Sequence, residues 1–103
     1  MNKETIILLA NRALVLSDIN AERERQNKKW GIQRHPYTEW LAILVEEVGE
    51  VAQAMQKDNV CHKTSDATDL YKELIQVAAV ASAMAEQIRE EKEKCSNSLS
   101  SVK

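Results

Sequence analysis

The chain has 103 residues and a formal net charge of −2, which leaves room for one hydrophobic core and gives no electrostatic case for binding a nucleic acid polymer. Two glycines, one proline and abundant Ala, Glu, Lys, Leu and Gln favour an all-α chain. No stretch reaches the roughly 20 apolar residues of a membrane span, and the apolar run Ile6–Ala10 is too short for a signal sequence, so a cytoplasmic protein is expected.

The first helix is expected from about Lys3 to Lys29. Its front half carries a broad apolar face of Ile6, Leu9, Ala10, Ala13, Leu14 and Leu16. After Ile19 the sequence Ala-Glu-Arg-Glu-Arg-Gln-Asn-Lys-Lys is polar all round, which reads as a solvated face; the alternative is basic side chains reaching over a site. Lys28 and Lys29 precede Gly31, as a helix C-terminus prefers. The link from Trp30 to Tyr37 holds the only proline, and Thr38 is the expected N-cap of a second helix running to about Lys57. A polar loop from Asp58 to Thr64 follows, with Ser65 as the next cap and Asp66 in the first turn. The third helix is expected to reach about Lys94, making residues 1–94 one helical domain and 95–103 a flexible Ser-rich tail. Cys61 and Cys95 have neither C-x-x-C spacing nor a ligand histidine, so they read as thiols in a reducing compartment.

The chemistry-bearing residues sit on the second and third helices. Glu47 and Glu50 have i,i+3 spacing, as do Glu73 and Gln76, so each pair projects from neighbouring turns of one helix face. With Leu44 at zero and about 100° per residue, Trp40, Leu41, Val48, Val51, Ala52 and Met55 form an apolar stripe. Glu47 falls near −60° and Glu50 near −120° on roughly that scale. On the third helix, with Val77 at zero, the expected stripe is Leu70, Leu74, Ala81, Met84 and Ile88, with Glu73 at roughly −40° and Gln76 at roughly −100°. Carboxylates on a core face cost several kcal/mol unless they are neutralised. A divalent cation shared between the helices would neutralise them. Three carboxylates with no thiolate or imidazole suit Mg²⁺ or Mn²⁺, and the chemistry that follows is phosphoanhydride hydrolysis by a carboxylate-oriented water. Glu46 points away, and Asp69, one turn before Glu73, is a possible further oxygen ligand or simply an acid near a helix start.

The stretch Leu44-Val45-Glu46-Glu47-Val48-Gly49-Glu50-Val51-Ala52-Gln53-Ala54, followed by Glu73-Leu74-Ile75-Gln76-Val77-Ala78-Ala79-Val80-Ala81, resembles the MazG-like nucleotide pyrophosphohydrolases of the all-α NTP pyrophosphatase superfamily. Glu22-Arg23-Glu24-Arg25-Gln26-Asn27-Lys28-Lys29-Trp30-Gly31 resembles phage and prophage members of that group. The resemblance implies three main helices in an antiparallel bundle completed by oligomerisation to a homodimer or homotetramer. It also implies Mg²⁺-dependent hydrolysis of a (deoxy)nucleoside triphosphate to monophosphate and pyrophosphate. Glu47, Glu50 and Glu73 match the metal-binding and catalytic carboxylates. The fourth position is an aspartate in the family and Gln76 here, a weaker ligand that removes one negative charge, with Asp69 as a possible substitute.

A nucleotide pocket near the first interhelical link is implied as well. Trp30 and Trp40 offer stacking faces there, and Lys28, Lys29, Arg34 and His35 are candidates to reach phosphates or base edges. The basic C-terminal helix of many relatives has no clear counterpart. The rival reading is a non-catalytic helical regulatory or interaction module that keeps the fold with a weakened metal site. A ferritin-like di-iron protein is disfavoured, because neither His35 nor His62 lies three residues after a glutamate.

Overall fold

The computed structural model describes the backbone over residues 1–61 and 67–101, and side chains over 1–57 and 70–97. His62, Ser65 and Asp66 lie outside the described residues, as do the side chains of Cys61 and Asp69. Regular structure among the described residues is all helical: α1 (Lys3–Trp30), α2 (Tyr37–Cys61) and α3 (Ala67–Ser101).

Each boundary has a local cause. Asn2 opens α1 by accepting the Thr5 amide on its side chain at 2.8 Å. At the other end Gly31 takes φ 76°, ψ 179°, a backbone region in effect reserved for glycine, while its N–H donates to the Asn27 carbonyl at 2.9 Å. α2 begins one residue before Thr38. The Pro36 carbonyl accepts the amides of Glu39 at 3.0 Å and Trp40 at 3.1 Å, so Pro36 rather than Thr38 starts the helix. α2 continues past Lys57 to Cys61, and α3 past Lys94 to Ser101, where no glycine or proline interrupts the helical run.

α1 and α2 each pack on α3. The core is built on Trp40, Val80 and Ala83, with Ile43, Leu44 and Met84 against them, and Val51, Ala54, Ile75 and Ala79 are also buried. Later residues of α2 meet earlier residues of α3: Trp40 bonds to Gln87 at one end, and Glu47 and Glu50 gather with Glu73 at the other.

The buried faces are not the stripes expected from apolar periodicity. On α2 the inward residues are Trp40, Ile43, Leu44, Glu47, Glu50, Val51 and Ala54, while Leu41, Val45, Val48, Ala52 and Met55 are exposed. On the helical wheel this face is centred on Glu47, rotated by roughly 60° from the hydrophobic stripe. α3 is rotated further, burying Ile75, Ala79, Val80, Ala83 and Gln87 and leaving Leu74, Ala81 and Ile88 outward. The hydrophobic pattern is broader than one neighbour can cover, and α3 takes the acidic edge of it.

α1 reverses its expected roles. No residue of α1 is buried, and its apolar front half is open, with Leu8 67% and Leu14 62% exposed. The polar second half, expected to be solvated, is the part held to α3. Tyr71 donates its hydroxyl hydrogen to Asp18 at 2.6 Å, and Arg23 donates to Ser82 at 2.8 Å and to Glu86 at 3.0 Å. The Cα radius of gyration is 18.0 Å, against about 13 Å for a compact domain of this length. Gly49, in mid-helix, has nothing within 4 Å of where a Cβ would sit apart from its own helix's backbone.

Candidate metal centre and adjoining cavity

The rotation of α2 and α3 is what builds the site. Glu47, Glu50 and Glu73 are each partly buried and offer carboxylate oxygens that all lie within 4.8 Å of one another. Oε2 of Glu47 is buried without a hydrogen-bond partner among the described residues. Burial pushes the Glu47 carboxyl above its ordinary value. The negative charges of Glu50, Glu73 and Glu46 push it the same way, as does a hydrogen bond with Glu50. A protein this small does not gather carboxylates and leave a buried oxygen orphaned without consequence: their repulsion opposes folding unless a cation or a proton relieves it. The donor set, all oxygen and drawn from two helices, fits a divalent hard cation. Glu46 is exposed, as its position on the wheel requires.

Beside the triad lies a cavity of about 240 Å³ between α1, α2 and the link, floored by α3. Glu47 and Gln76 line one end of it; Trp30, Gln33, Arg34 and Trp40 line the other; Glu22, Arg23, Arg25, Gln26 and Asn27 form the α1 wall. Gln76 therefore shares the space with Glu47, at the position where a fourth carboxylate was expected. Among the described residues, α3 supplies only the uncharged Gln76, Val80 and Ala83 to this cavity, and the positive charge there comes from α1 and the link.

The α1 wall follows the alternative reading of this segment, basic side chains reaching over a site, rather than the solvated face. Ile19, Glu22, Arg23 and Gln26 are partly buried and spaced three and four apart, a helical face made of polar side chains. That spacing was the available signal. Glu22 holds the wall together: Arg25 donates to its two oxygens at 2.9 and 2.7 Å, and Gln26 donates at 2.8 Å. The Arg25 hydrogen bond holds the Glu22 carboxyl below its ordinary value despite opposing burial.

The link is fixed by Gln87, Glu86 and Glu90 on α3 and by Arg34 of its own. Gln87, buried and missed in the sequence, accepts the His35 amide at 3.0 Å and the Trp40 indole N–H at 2.6 Å. Its own NH₂ donates to the His35 carbonyl and to Glu91, each at 2.9 Å. Arg34 donates to Glu90 at 2.8–3.0 Å, to Glu86 at 3.0 Å and to the Gln33 carbonyl at 2.7 Å.

The six side chains expected near a nucleotide are placed differently from one another, and Lys28 is exposed and outside the cavity lining. Trp30 lines the cavity and is 52% exposed, with Lys29 Nζ 4.8 Å and Arg25 Cζ 6.0 Å from its ring centroid. Lys29 thus covers the indole rather than the cavity. Arg34 lines the cavity with its donors already engaged. His35 does not line it: the imidazole packs edge-on against Trp40 at 4.8 Å, and its Nδ1 lies 3.2 Å from Glu39. Trp40, 2% exposed, is a core residue with one edge on the cavity. No protein-family model, curated protein or solved structure matches the chain.

Proposed function

We propose that the chain is a MazG-like nucleotide pyrophosphohydrolase that uses Mg²⁺ or Mn²⁺ to convert a (deoxy)nucleoside triphosphate into monophosphate and pyrophosphate. The observation that carries this reading is the adjacency of the carboxylate triad to a cavity whose other walls hold three arginines and two indoles. An acidic end suits a cation, and a guanidinium- and aromatic-lined remainder suits a planar, polyanionic ligand. Glu47, Glu50 and Glu73 would hold the cation, which when bound would neutralise phosphate oxygens and acidify water. The protein's own contribution is then to hold the ligand carboxylates at close quarters, to orient a water from one carboxylate oxygen, and to keep the nucleotide between the α1 wall and Trp40.

The same reading includes an antiparallel three-helix bundle completed by a second copy of the chain, as a homodimer or homotetramer, in the cytoplasm of a phage- or prophage-bearing cell. Its support is the uncovered apolar surface: the whole front of α1, Leu41, Val45, Val48 and Met55 on α2, and Leu74 and Ile88 on α3. Exposed apolar side chains in this number, on all three helices, are what association with a second copy would cover.

Purified protein incubated with a panel of nucleoside triphosphates and Mg²⁺ or Mn²⁺ tests the assignment, scored as pyrophosphate against phosphate. Pyrophosphate release that disappears in Glu50→Ala and Glu73→Ala is the expected result. Gln76→Asp should tighten metal binding, since it restores a carboxylate to the cavity end beside Glu47. Absence of turnover, with neither metal raising the unfolding temperature, would instead favour a non-catalytic module whose metal site was weakened at Gln76.

A further inference from the structure

The cations lining the cavity among the described residues are Arg23, Arg25 and Arg34, and they differ in how far each is already committed. Arg25 makes a two-point pair with Glu22, one guanidinium to one carboxylate, 2.9 and 2.7 Å. Arg34 uses Nε and both terminal nitrogens, and Glu90 is its own counter-charge. Arg23 is different. It makes two hydrogen bonds, to the neutral Ser82 hydroxyl at 2.8 Å and to Glu86 Oε1 at 3.0 Å. Glu86 Oε1 is the same oxygen that accepts from Arg34 at 3.0 Å, and the Glu86 side chain is half exposed.

A guanidinium carries five N–H donors, so most of the Arg23 donor capacity remains available among the described residues. Its charge is balanced only by a shared, half-exposed carboxylate, yet its own side chain is 13% exposed. A cation held in a wall, weakly countered and sheltered from water, is poised for an anion larger than a carboxylate.

We infer that Arg23 is the phosphate-binding residue of the cavity, supplying from α1 the positive charge that α3 does not provide. This rests on the pyrophosphohydrolase reading and names the substrate contact within it. On binding, the guanidinium exchanges the Glu86 oxygen for phosphate oxygens, and Arg34 stays tied to Glu90.

The test is calorimetric titration of inorganic tripolyphosphate with Mg²⁺ into the wild type, Arg23→Gln, Arg23→Lys and Glu86→Gln, with Mn²⁺ alone as a second titrant. Loss of a charge-assisted pair should weaken tripolyphosphate binding by about ten- to a hundred-fold in Arg23→Gln. Arg23→Lys should recover part of it, and Mn²⁺ binding should be unchanged in both. Glu86→Gln separates anion binding from a structural role. Freed from its shared counter-charge, Arg23 should bind tripolyphosphate more tightly, whereas a purely structural network would leave binding equal or weaker. Wild-type affinity in Arg23→Gln, or no tightening in Glu86→Gln, overturns the inference and leaves the pyrophosphohydrolase reading standing. A wild type that binds Mn²⁺ but no tripolyphosphate overturns both.

Discussion

Replacing Gln87 by leucine should destabilise the protein far more than one surface-facing polar change on a helix would. The side chain is 7% exposed and satisfies four partners: the His35 amide, the His35 carbonyl, the Trp40 indole and Glu91. Leucine fills similar volume, so the loss is polar rather than a cavity. The Trp40 N–H, on a residue 2% exposed, is left without an acceptor, at about 1–3 kcal/mol. The two His35 backbone groups are only partly buried and recover some hydration, so about 0.5–1 kcal/mol each is a fair share. Burying an apolar side chain in place of an amide returns roughly 1 kcal/mol. The net is a loss of about 1–4 kcal/mol, or roughly 5–30 °C in Tm for a domain this size.

Urea unfolding followed by tryptophan emission is the assay, at fixed protomer concentration because association would shift the midpoint. Gln87→Glu keeps the acceptor for Trp40 but sets a second carboxylate beside Glu91, so its loss should be larger at neutral pH than near pH 4. A Gln87→Leu variant within about 0.5 kcal/mol of wild type would refute the idea that this amide fixes the link onto α3.

Two further outcomes follow from the backbone and from the acid cluster. Gly31→Ala should cost about 1–3 kcal/mol, because φ 76°, ψ 179° is strained for any residue with a Cβ although the surrounding space is empty; a cost near zero in equilibrium unfolding would mean the link relaxes. For Glu47 the sign is fixed by its raised carboxyl. The metal-free folded state holds that proton more tightly than the unfolded chain does. The Glu47 contribution should therefore be most favourable below the ordinary carboxylate value of 4.5 and be lost as pH rises through the raised one. Glu22, Glu86, Glu90 and Glu91 carry lowered carboxyls, so their contributions are lost in the opposite direction, as pH falls below 4.5. Thermal melts in EDTA should show Glu47→Gln flattening only the upper limb; an unchanged upper limb would mean the triad is not strained.

The helices themselves were legible, because composition and the near-absence of glycine and proline leave few alternatives. The ends at Cys61 and Ser101 were not. Polar residues such as Lys94 or Asp58 look like stops, but nothing sterically ends a helix at either. The triad was legible from spacing, since Glu47, Glu50 and Glu73 do converge. Which side of each helix turns inward was not. Leu41, Val48, Leu74 and Ile88 obey the same periodicity as a core, and hydrophobicity alone does not distinguish a face meant for α3 from one left for another partner. The α1 wall was left as an alternative for the converse reason: Glu22, Arg23 and Gln26 make a partly buried face through paired polar groups, and periodicity counted in apolar residues is blind to it.

The central proposal is that Glu47, Glu50 and Glu73 hold a divalent cation between α2 and α3. It is tested most directly by Mn²⁺ titration followed by electron paramagnetic resonance, which reads bound against free metal without requiring a substrate. Wild-type protein should take up Mn²⁺, and Glu50→Gln and Glu73→Gln should each lose at least about tenfold in affinity. Uptake that is equal in all three proteins, or absent in the wild type, would contradict the account.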